Sequence, residues 1–205
     1  MLGKSAQIVV GLLALQGDFQ AHQESLLSLP DITAVTVRTP DELSAVDALV
    51  LPGGESTTIA KLLNRSGLIQ PLRDRLAAGM PAYGTCAGLI LLAKSIVDYP
   101  EQPTIGALNV SVHRNAFGRQ VDSFEADIPF PLPGDAEATV RGVFIRAPYI
   151  EVIDRGVEII ACFEDKVVAV RQGAILGTAF HPELTDDNRV HGYFASIVRQ
   201  SQERR

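Results

Sequence analysis

The sequence predicts an α/β fold of three layers, in which a mostly parallel central sheet lies between helices and continues into an antiparallel extension. Short apolar runs alternate with helix-like segments through about the first ninety residues, which is typical of βαβ units. The first and third runs are almost entirely apolar, as parallel strands covered on both faces are. After Tyr99, β-rich runs follow one another across polar or Gly/Pro turns, and this pattern predicts the antiparallel part of the same sheet.

Four strands are predicted in the first half of the chain, over residues 6–15, 33–37, 48–51 and 81–83. Helices are predicted over residues 19–29 and 68–78, from Ser56 or Thr57 to Gly67, and over 89–93, with about one helical turn at 41–46. Pro30 ends the first helix because proline cannot continue it, and Gly67 and Gly79 are suited to helix C-termini. Ser56 or Thr57 is the predicted N-cap, since a hydroxyl can accept a bond from a free backbone N–H.

Six further strands are predicted in the second half, over residues 105–112, 123–128, 139–145, 157–163, 167–170 and 174–180. A closing helix is predicted over residues 187–200, because apolar side chains recur there at helical spacing. Its predicted inner face carries Val190, Phe194, Ile197 and Val198.

The chain has 205 residues, of which 46% are hydrophobic and 20% charged, and we expect it to form one domain over residues 1–205. Its net charge of −6 is spread over interspersed residues, which argues against nucleic acid or an anionic membrane as the main partner. The apolar run at residues 8–15 is far shorter than the ~20 residues of a spanning helix. Cys86 and Cys162 do not suggest a disulfide scaffold, so we expect a cytoplasmic protein with Cys162 in its core.

Residues 81–89 contain the pattern G-x-C-x-G, with Cys86 between Gly84 and Gly88. This pattern is typical of a nucleophile elbow, where a strand turns sharply into a helix and exposes a side chain at the bend. A helix that begins just after Cys86 would also stabilise the thiolate. The alternative is a buried structural cysteine between two glycines that pack closely, and this pattern alone leaves both interpretations open.

A cysteine nucleophile needs a base, and the base needs an orienting partner. His22 and His191 fall in predicted helices, where they are expected to be surface or packing residues, and His113 fits either role. His181 ends an apolar run and precedes Pro182-Glu183, so on an extended backbone the side chains of His181 and Glu183 would meet. The alternative is an exposed histidine at a strand end beside an unrelated glutamate.

The stretch Pro52-Gly53-Gly54-Glu55-Ser56 follows the third predicted strand. Two glycines there can bring backbone N–H groups close to a developing oxyanion, although a plain strand-to-helix turn would look the same. The stretch lacks the lysine of a P-loop, and G-x-G-x-x-G is absent after the first strand. Metal and dinucleotide sites are therefore disfavoured, since no Cys/His cluster has metal-ligand spacing either.

Three of these stretches, at residues 51–57, 83–89 and 181–183, together resemble the signatures of class I (triad-type) glutamine amidotransferases. Three more, at residues 14–19, 114–120 and 144–148, are similar to the glutaminase subunits of pyridoxal 5′-phosphate synthase, the PdxT/Pdx2 family. The resemblance extends from Ile8 to Val198. It implies a flavodoxin-like sheet and an enzyme that hydrolyses L-glutamine to glutamate and ammonia.

The resemblance also implies roles for individual residues. Cys86 would attack the side-chain amide, His181 would transfer the proton, and Glu183 would orient the imidazole. The backbone N–H groups of Gly54 and Ala87 would form the oxyanion hole. Glutamine binding would fall to Gly54, Glu55, Ser56, Arg114, Ile145 and Arg146, although Arg114 and Arg146 could instead be structural or face a partner.

No cofactor and no metal are implied for this chain. The implied protein partner is a synthase subunit of the PdxS/Pdx1 type, which would receive the ammonia and build pyridoxal phosphate in the cytoplasm. Two alternatives stay open on the sequence alone: an amidotransferase or Cys-His hydrolase that serves another synthase, and a non-catalytic assembly factor on the same scaffold.

Overall fold

The computed structural model describes residues 7–114 and 123–204. The helices are α1 (Phe19–Leu27), α2 (Pro40–Ser44), α3 (Ser56–Arg65), α4 (Ile69–Ala77), α5 (Ala87–Leu92) and α6 (Arg189–Glu203). The strands are β1 (Ile8–Leu13), β2 (Ile32–Val37), β3 (Ala48–Leu51), β4 (Ala82–Thr85), β5 (Ala93–Ile96), β6 (Leu108–His113), β7 (Ser123–Pro129), β8 (Thr139–Ile145), β9 (Tyr149–Ile153), β10 (Glu158–Phe163), β11 (Lys166–Gln172) and β12 (Ile175–Thr178). Residue 6 and residues 115–120, which belong to a predicted strand and a quoted motif, lie outside the described residues.

The central sheet runs in the order β2-β1-β3-β4-β12-β11-β9-β6-β5. The strands from β2 to β12 in this order are parallel. The sheet then continues through the antiparallel pairs β12–β11, β11–β9 and β9–β6. Helices flank this sheet, so the predicted α/β architecture with an antiparallel extension is confirmed. In the described ranges, no helix is both long and apolar enough to cross a membrane.

The placement of three predicted strands within the extension was wrong. β12 pairs in parallel with β4 and is buried along its whole length, as a central strand is. β7 and β8 leave the central sheet and form a separate antiparallel pair. Buried and exposed positions alternate along β8. Phe144 faces the core, whereas Arg141 pairs with Glu125 and Asp127 on the outside.

Two strands are absent from the sequence prediction, β5 and β9. The predicted helix over residues 89–93 includes Ala93, but Ala93 adopts φ −59° and ψ 152°, and β5 begins there. β5 has only four residues with two exposed positions, so its sequence carries little strand signal. β9 follows Pro148 and begins only four residues after β8 ends at Ile145.

The N-terminus of α3 is capped by a different residue from the one predicted. Ser56 is the first helical residue, and the carboxylate of Glu55 accepts from the N–H groups of Thr57 at 3.2 Å and Thr58 at 2.7 Å. A carboxylate satisfies two free N–H groups there and also interacts favourably with the positive end of the helix. Glu55 is therefore held by its own helix.

Cys162 is exposed, so the expectation that it lies in the core was wrong. It lies on β10, where successive side chains point to opposite faces. Ala161 takes the buried position and Cys162 the outward one. The predicted inner face of α6 is confirmed, because its four apolar side chains are buried.

The turn between β4 and α5 depends on two glycines. A Cβ on Gly88 would lie 2.0 Å from the carbonyl oxygen of Leu51, at the end of β3. A Cβ on Gly84 would lie 2.5 Å from the carbonyl carbon of Gly88. The backbone of α5 therefore crosses β3 and β4 at a distance that no larger residue allows.

Substitution of alanine at two helical glycines tests this close approach. Gly88→Ala should lower the free energy of unfolding by roughly 1–3 kcal/mol, because the backbone around Leu51 must shift. Gly192→Ala on α6 is the matched control, since its Cβ would meet only Leu29 Cδ2 at 3.9 Å. Removing a glycine from a helix interior should raise stability by about 0.5–1 kcal/mol there. Chemical denaturation measures both, and a shift of the same sign in the two variants would contradict the close approach.

Candidate active site

Cys86 lies at the bend between β4 and α5. Its backbone has φ 47° and ψ −102°, a strained conformation for a residue with a side chain. The Cys86 N–H donates to the carbonyl of Thr178 on β12 at 2.8 Å, which ties the bend to the neighbouring strand. The thiol is mostly buried and lies 3.9 Å from the Ile145 carbonyl oxygen, to which it can donate. This is the backbone geometry expected of a nucleophile elbow.

His181 and Glu183 lie beside Cys86 and contact each other. Nδ1 of His181 is 2.7 Å from Oε1 of Glu183. The backbone between them is not extended, which was the condition considered for their contact, because Pro182–Leu184 form a 3₁₀ turn. Pro182 begins that turn, where its fixed φ and missing N–H are favourable. The two side chains therefore meet across a tight turn and not along a strand.

The charges of this pair are set by burial and by their neighbours. Burial acts to raise the pKa of Glu183, but attraction to His22 and hydrogen bonds with His181 and His22 hold that pKa well below its usual range. Burial acts to lower the pKa of His181, yet its interactions with Cys86 and Glu183 outweigh burial and raise the pKa to about 10. A carboxylate and an imidazolium beside the thiol are the charges expected at neutral pH.

A cavity of about 240 Å³ opens above Cys86. It is lined by Asp18, Gly53, Gly54, Cys86, Ile145, His181, Glu183 and Leu184. A Cβ on Gly53 would lie 2.3 Å from Cε1 of His181, so Gly53 packs directly on the imidazole ring. Gly54 has φ 151°, and a Cβ there would lie 2.5 Å from Oε1 of Gln16. Gly53 therefore allows the close approach to the ring, and Gly54 allows the close approach to Gln16.

Three of the predicted binding residues meet at the start of α3. Ser56 is buried, and its hydroxyl donates to Oε1 of Gln102 at 3.2 Å. Arg114 donates to the same oxygen at 3.0 Å and lies 3.5 Å from Oε1 of Glu55. Ile145 lies with Gly54 at the cavity, 37% exposed. Arg146 is exposed, with φ 44°.

Two histidines with no assigned role in the sequence lie next to the site. His22 and His191 are fully buried, which excludes the surface role considered for them. Nε2 of His22 is 3.3 Å from Oε1 of Glu183, and its Nδ1 is 2.9 Å from Nε2 of His191. The available signal was helical spacing, since His22 lies four residues before the buried Leu26.

His113 lies at the end of β6, away from the cavity. Its Nδ1 is 3.8 Å from Asp98 and its Nε2 is 3.5 Å from Glu151, so the half-exposed ring lies between two carboxylates. Within residues 7–114 and 123–204, no group of three or more His, Cys, Asp or Glu residues could hold a metal ion.

Known proteins similar to this chain are glutamine amidotransferases. The family model described as the SNO glutamine amidotransferase family matches residues 12–200. The pyridoxal 5′-phosphate synthase subunit PdxT of Acidothermus cellulolyticus is 56% identical over 197 residues, covering 92% of this chain and 93% of that protein. The protein of the same name from Carboxydothermus hydrogenoformans is 50% identical over 189 residues, covering 92% and 97%.

Solved structures agree with this similarity. A crystal structure of a glutamine amidotransferase has a TM-score of 0.87 at 49% identity and covers 93% of this chain and 98% of its own. A glutamine amidotransferase from Thermotoga maritima, with a TM-score of 0.59 at 15% identity, shares the fold over 97% and 93% of the two chains. The family model and the closely similar sequences both span most of the chain, which therefore belongs to the SNO glutamine amidotransferase family.

Proposed function

We propose that this chain hydrolyses L-glutamine to L-glutamate and ammonia with Cys86, His181 and Glu183 as its catalytic triad. The observation that carries the proposal is the arrangement of the three side chains around one cavity. Cys86 is held at a strained bend, His181 interacts with it, and Glu183 contacts Nδ1 of His181 at 2.7 Å. Nucleophile, base and orienting carboxylate are the groups that cysteine-based amide hydrolysis needs.

The reaction has two steps in this proposal. The Cys86 thiolate attacks the side-chain carbonyl carbon of glutamine, and the imidazolium of His181 protonates the departing ammonia. Water then attacks the thioester, with the neutral imidazole of His181 taking its proton, and glutamate is released. Because Nδ1 of His181 is held by Glu183, Nε2 is the nitrogen left to exchange protons with sulfur, ammonia and water.

Backbone groups around the cavity would stabilise the oxyanion that forms during the reaction, and side chains would bind the substrate. The N–H groups of Gly54 and Ala87 would donate to the oxyanion that develops on the amide oxygen. The opposite charges of Arg114 and Glu55, 3.5 Å apart, suit the carboxylate and ammonium of an α-amino acid. Ser56, Ile145 and Arg146 complete the proposed set.

The proposed partner is a synthase subunit of the PdxS/Pdx1 type, which would use the ammonia to make pyridoxal 5′-phosphate. Support comes from relatives named as PdxT subunits of that synthase at 50–56% identity. We further propose that residues 1–205 act as one glutaminase domain in the cytoplasm, without a cofactor of its own. The family match over residues 12–200 agrees with a single unit.

Replacing the nucleophile tests the triad. Cys86→Ser should lower the rate of glutamate release from glutamine by roughly 10⁴-fold or more, since serine would need a much stronger base than imidazole. Cys162→Ser is the matched control, because Cys162 is an exposed thiol on β10. The assay is run with and without a PdxS-type synthase. Substantial turnover by Cys86→Ser, or an equal loss in Cys162→Ser, would contradict the assignment.

The same variant should change the titration of His181. The pKa of this imidazole is raised to about 10 chiefly by its interactions with Cys86 and Glu183, against the effect of burial. Serine removes the interaction with the Cys86 side chain that raises this pKa, so the pKa of His181 should fall towards its usual range in Cys86→Ser. In the wild-type protein, activity that needs the imidazolium should decline as the pH rises through about 10. NMR titration of the His181 ring measures the change, and an unaltered pKa in Cys86→Ser would argue against a thiolate–imidazolium pair.

The glycine pair suggests a further expectation, that the partner increases the activity. Gly54 has φ 151°, in a region that other residues rarely adopt, and a peptide flip in the loop would exchange an N–H for a carbonyl at the oxyanion site. A partner that binds one conformer better shifts the population towards it. Saturating PdxS-type synthase should therefore raise the rate of glutamate release, and equal turnover with and without it would exclude this control.

A further inference from the structure

We propose that His22 is a positioning residue for the glutamine hydrolysis proposed above, on which this inference rests. His22 contacts the carboxylate of Glu183 without lining the cavity, and Glu183 in turn holds the ring of His181. His191 fixes the orientation of His22. The chain of contacts that aligns the base thus contains four groups, His181, Glu183, His22 and His191, of which the motifs identify only two.

One carboxylate oxygen of Glu183 is contacted by two histidines. Oε1 of Glu183 lies 2.7 Å from Nδ1 of His181 and 3.3 Å from Nε2 of His22. An ionised carboxylate only accepts hydrogen bonds, so both ring nitrogens must carry a proton and donate. Oε2 has no hydrogen-bond partner among the described residues. All the polar contacts that stabilise this buried charge therefore converge on one oxygen, and His22 supplies one of them.

The orientation of His22 is set by His191. Nδ1 of His22 lies 2.9 Å from Nε2 of His191, so one of the two nitrogens donates to the other. Burial, followed by repulsion from His22, lowers the pKa of His191 to about 3, so His191 is neutral at working pH. Whichever nitrogen donates, this bond holds the ring of His22 with Nε2 towards Glu183.

Among the described residues, the surroundings of His22 contain no charge that competes with Glu183. On β4, Thr85 lies 3.1 Å from Nε2 of His22, and the ring of Tyr83 packs edge-on at 6.2 Å. Burial and the charge of Glu183 raise the pKa of Tyr83 well above its ordinary range, so the phenol stays neutral. Glu183 and His191 are the titratable groups that reach His22 from the 3₁₀ turn and from α6. A change at His22 should therefore act on His181 through Glu183.

His22 is absent from the lining of the cavity and is fully buried beneath it. Its loss should consequently affect the chemical step and leave substrate binding nearly unchanged. Without its second donor, the Glu183 carboxylate is less stabilised, and its hold on the His181 imidazolium weakens. A ring displaced by about 1 Å can lower the rate by about 10²-fold.

The test compares two substitutions in the full chain. His22→Leu removes the donor, and we expect kcat to fall about 10²-fold, with KM within about twofold of wild type and a lower pKa for His181 by NMR titration. His22→Gln retains an N–H near the position of Nε2 and should restore most of kcat and of the His181 pKa. Leu26→Val, on the same buried face of α1, is the control for packing loss and should change stability only.

The proposal is overturned if His22→Leu keeps the kcat and the His181 pKa of the wild type, or if His22→Gln is no better than His22→Leu. Should His22→Leu not fold, His22→Asn takes its place, because the shorter amide reaches towards His191 and not towards Glu183. The pKa of His181 is measured without glutamine. A wild-type chain that fails to hydrolyse glutamine while His22→Leu still lowers that pKa would refute the proposed function and leave the positioning role supported.

Discussion

The close crossing of α5 over the ends of β3 and β4 is the constraint on which the site depends. Gly88 lies against the Leu51 carbonyl and Gly84 against Gly88, so the chain must turn from strand to helix within one residue. That turn places Cys86 at φ 47°. The hydrogen bond from Cys86 N–H to Thr178 also joins the bend to β12, whose register sets Thr178 opposite Thr85. His181 follows three residues later and arrives beside the thiol.

A buried carboxylate is the second requirement of this arrangement. Glu183 is 6% exposed, and a charge so far from water needs donors in the protein. Besides His181, α1 supplies one through His22, which in turn contacts His191 on α6, and both of these histidines lie on helix faces that are otherwise apolar. Glu183, His22 and His191 place polar groups in part of the core. The desolvation cost of burying them is offset only where they form hydrogen bonds with one another. This explains why two fully buried histidines lie where hydrophobic side chains would normally pack.

The alternation of apolar runs was sufficient to predict the fold class, because parallel strands and covering helices differ strongly in pattern. Boundaries, β5 and the separate β7–β8 pair were not predictable in this way, since short strands depend on partners distant in sequence. At the site, spacing indicated that His181 and Glu183 would touch, yet the 3₁₀ turn that joins them reflects tertiary packing around Pro182. His22 contacts Glu183 across 161 positions of sequence, and such a contact leaves no local pattern to detect.

The proposed reacting groups and the proposed binding groups are attached to different parts of the fold. Cys86 and His181 follow directly from adjacent strands of the parallel sheet, and the backbone of each is hydrogen-bonded to a strand, at Thr178 and Val143. Glu55 and Arg114 instead meet at the start of α3, where Arg114 also donates to the buried side chain of Gln102. The loop of Gly53 and Gly54 lies between the two parts, and Gly53 packs against the ring of His181. A movement of that loop would therefore alter the proposed oxyanion site while the sheet keeps Cys86 and His181 in register, which is the division that a glutaminase controlled by a partner would require.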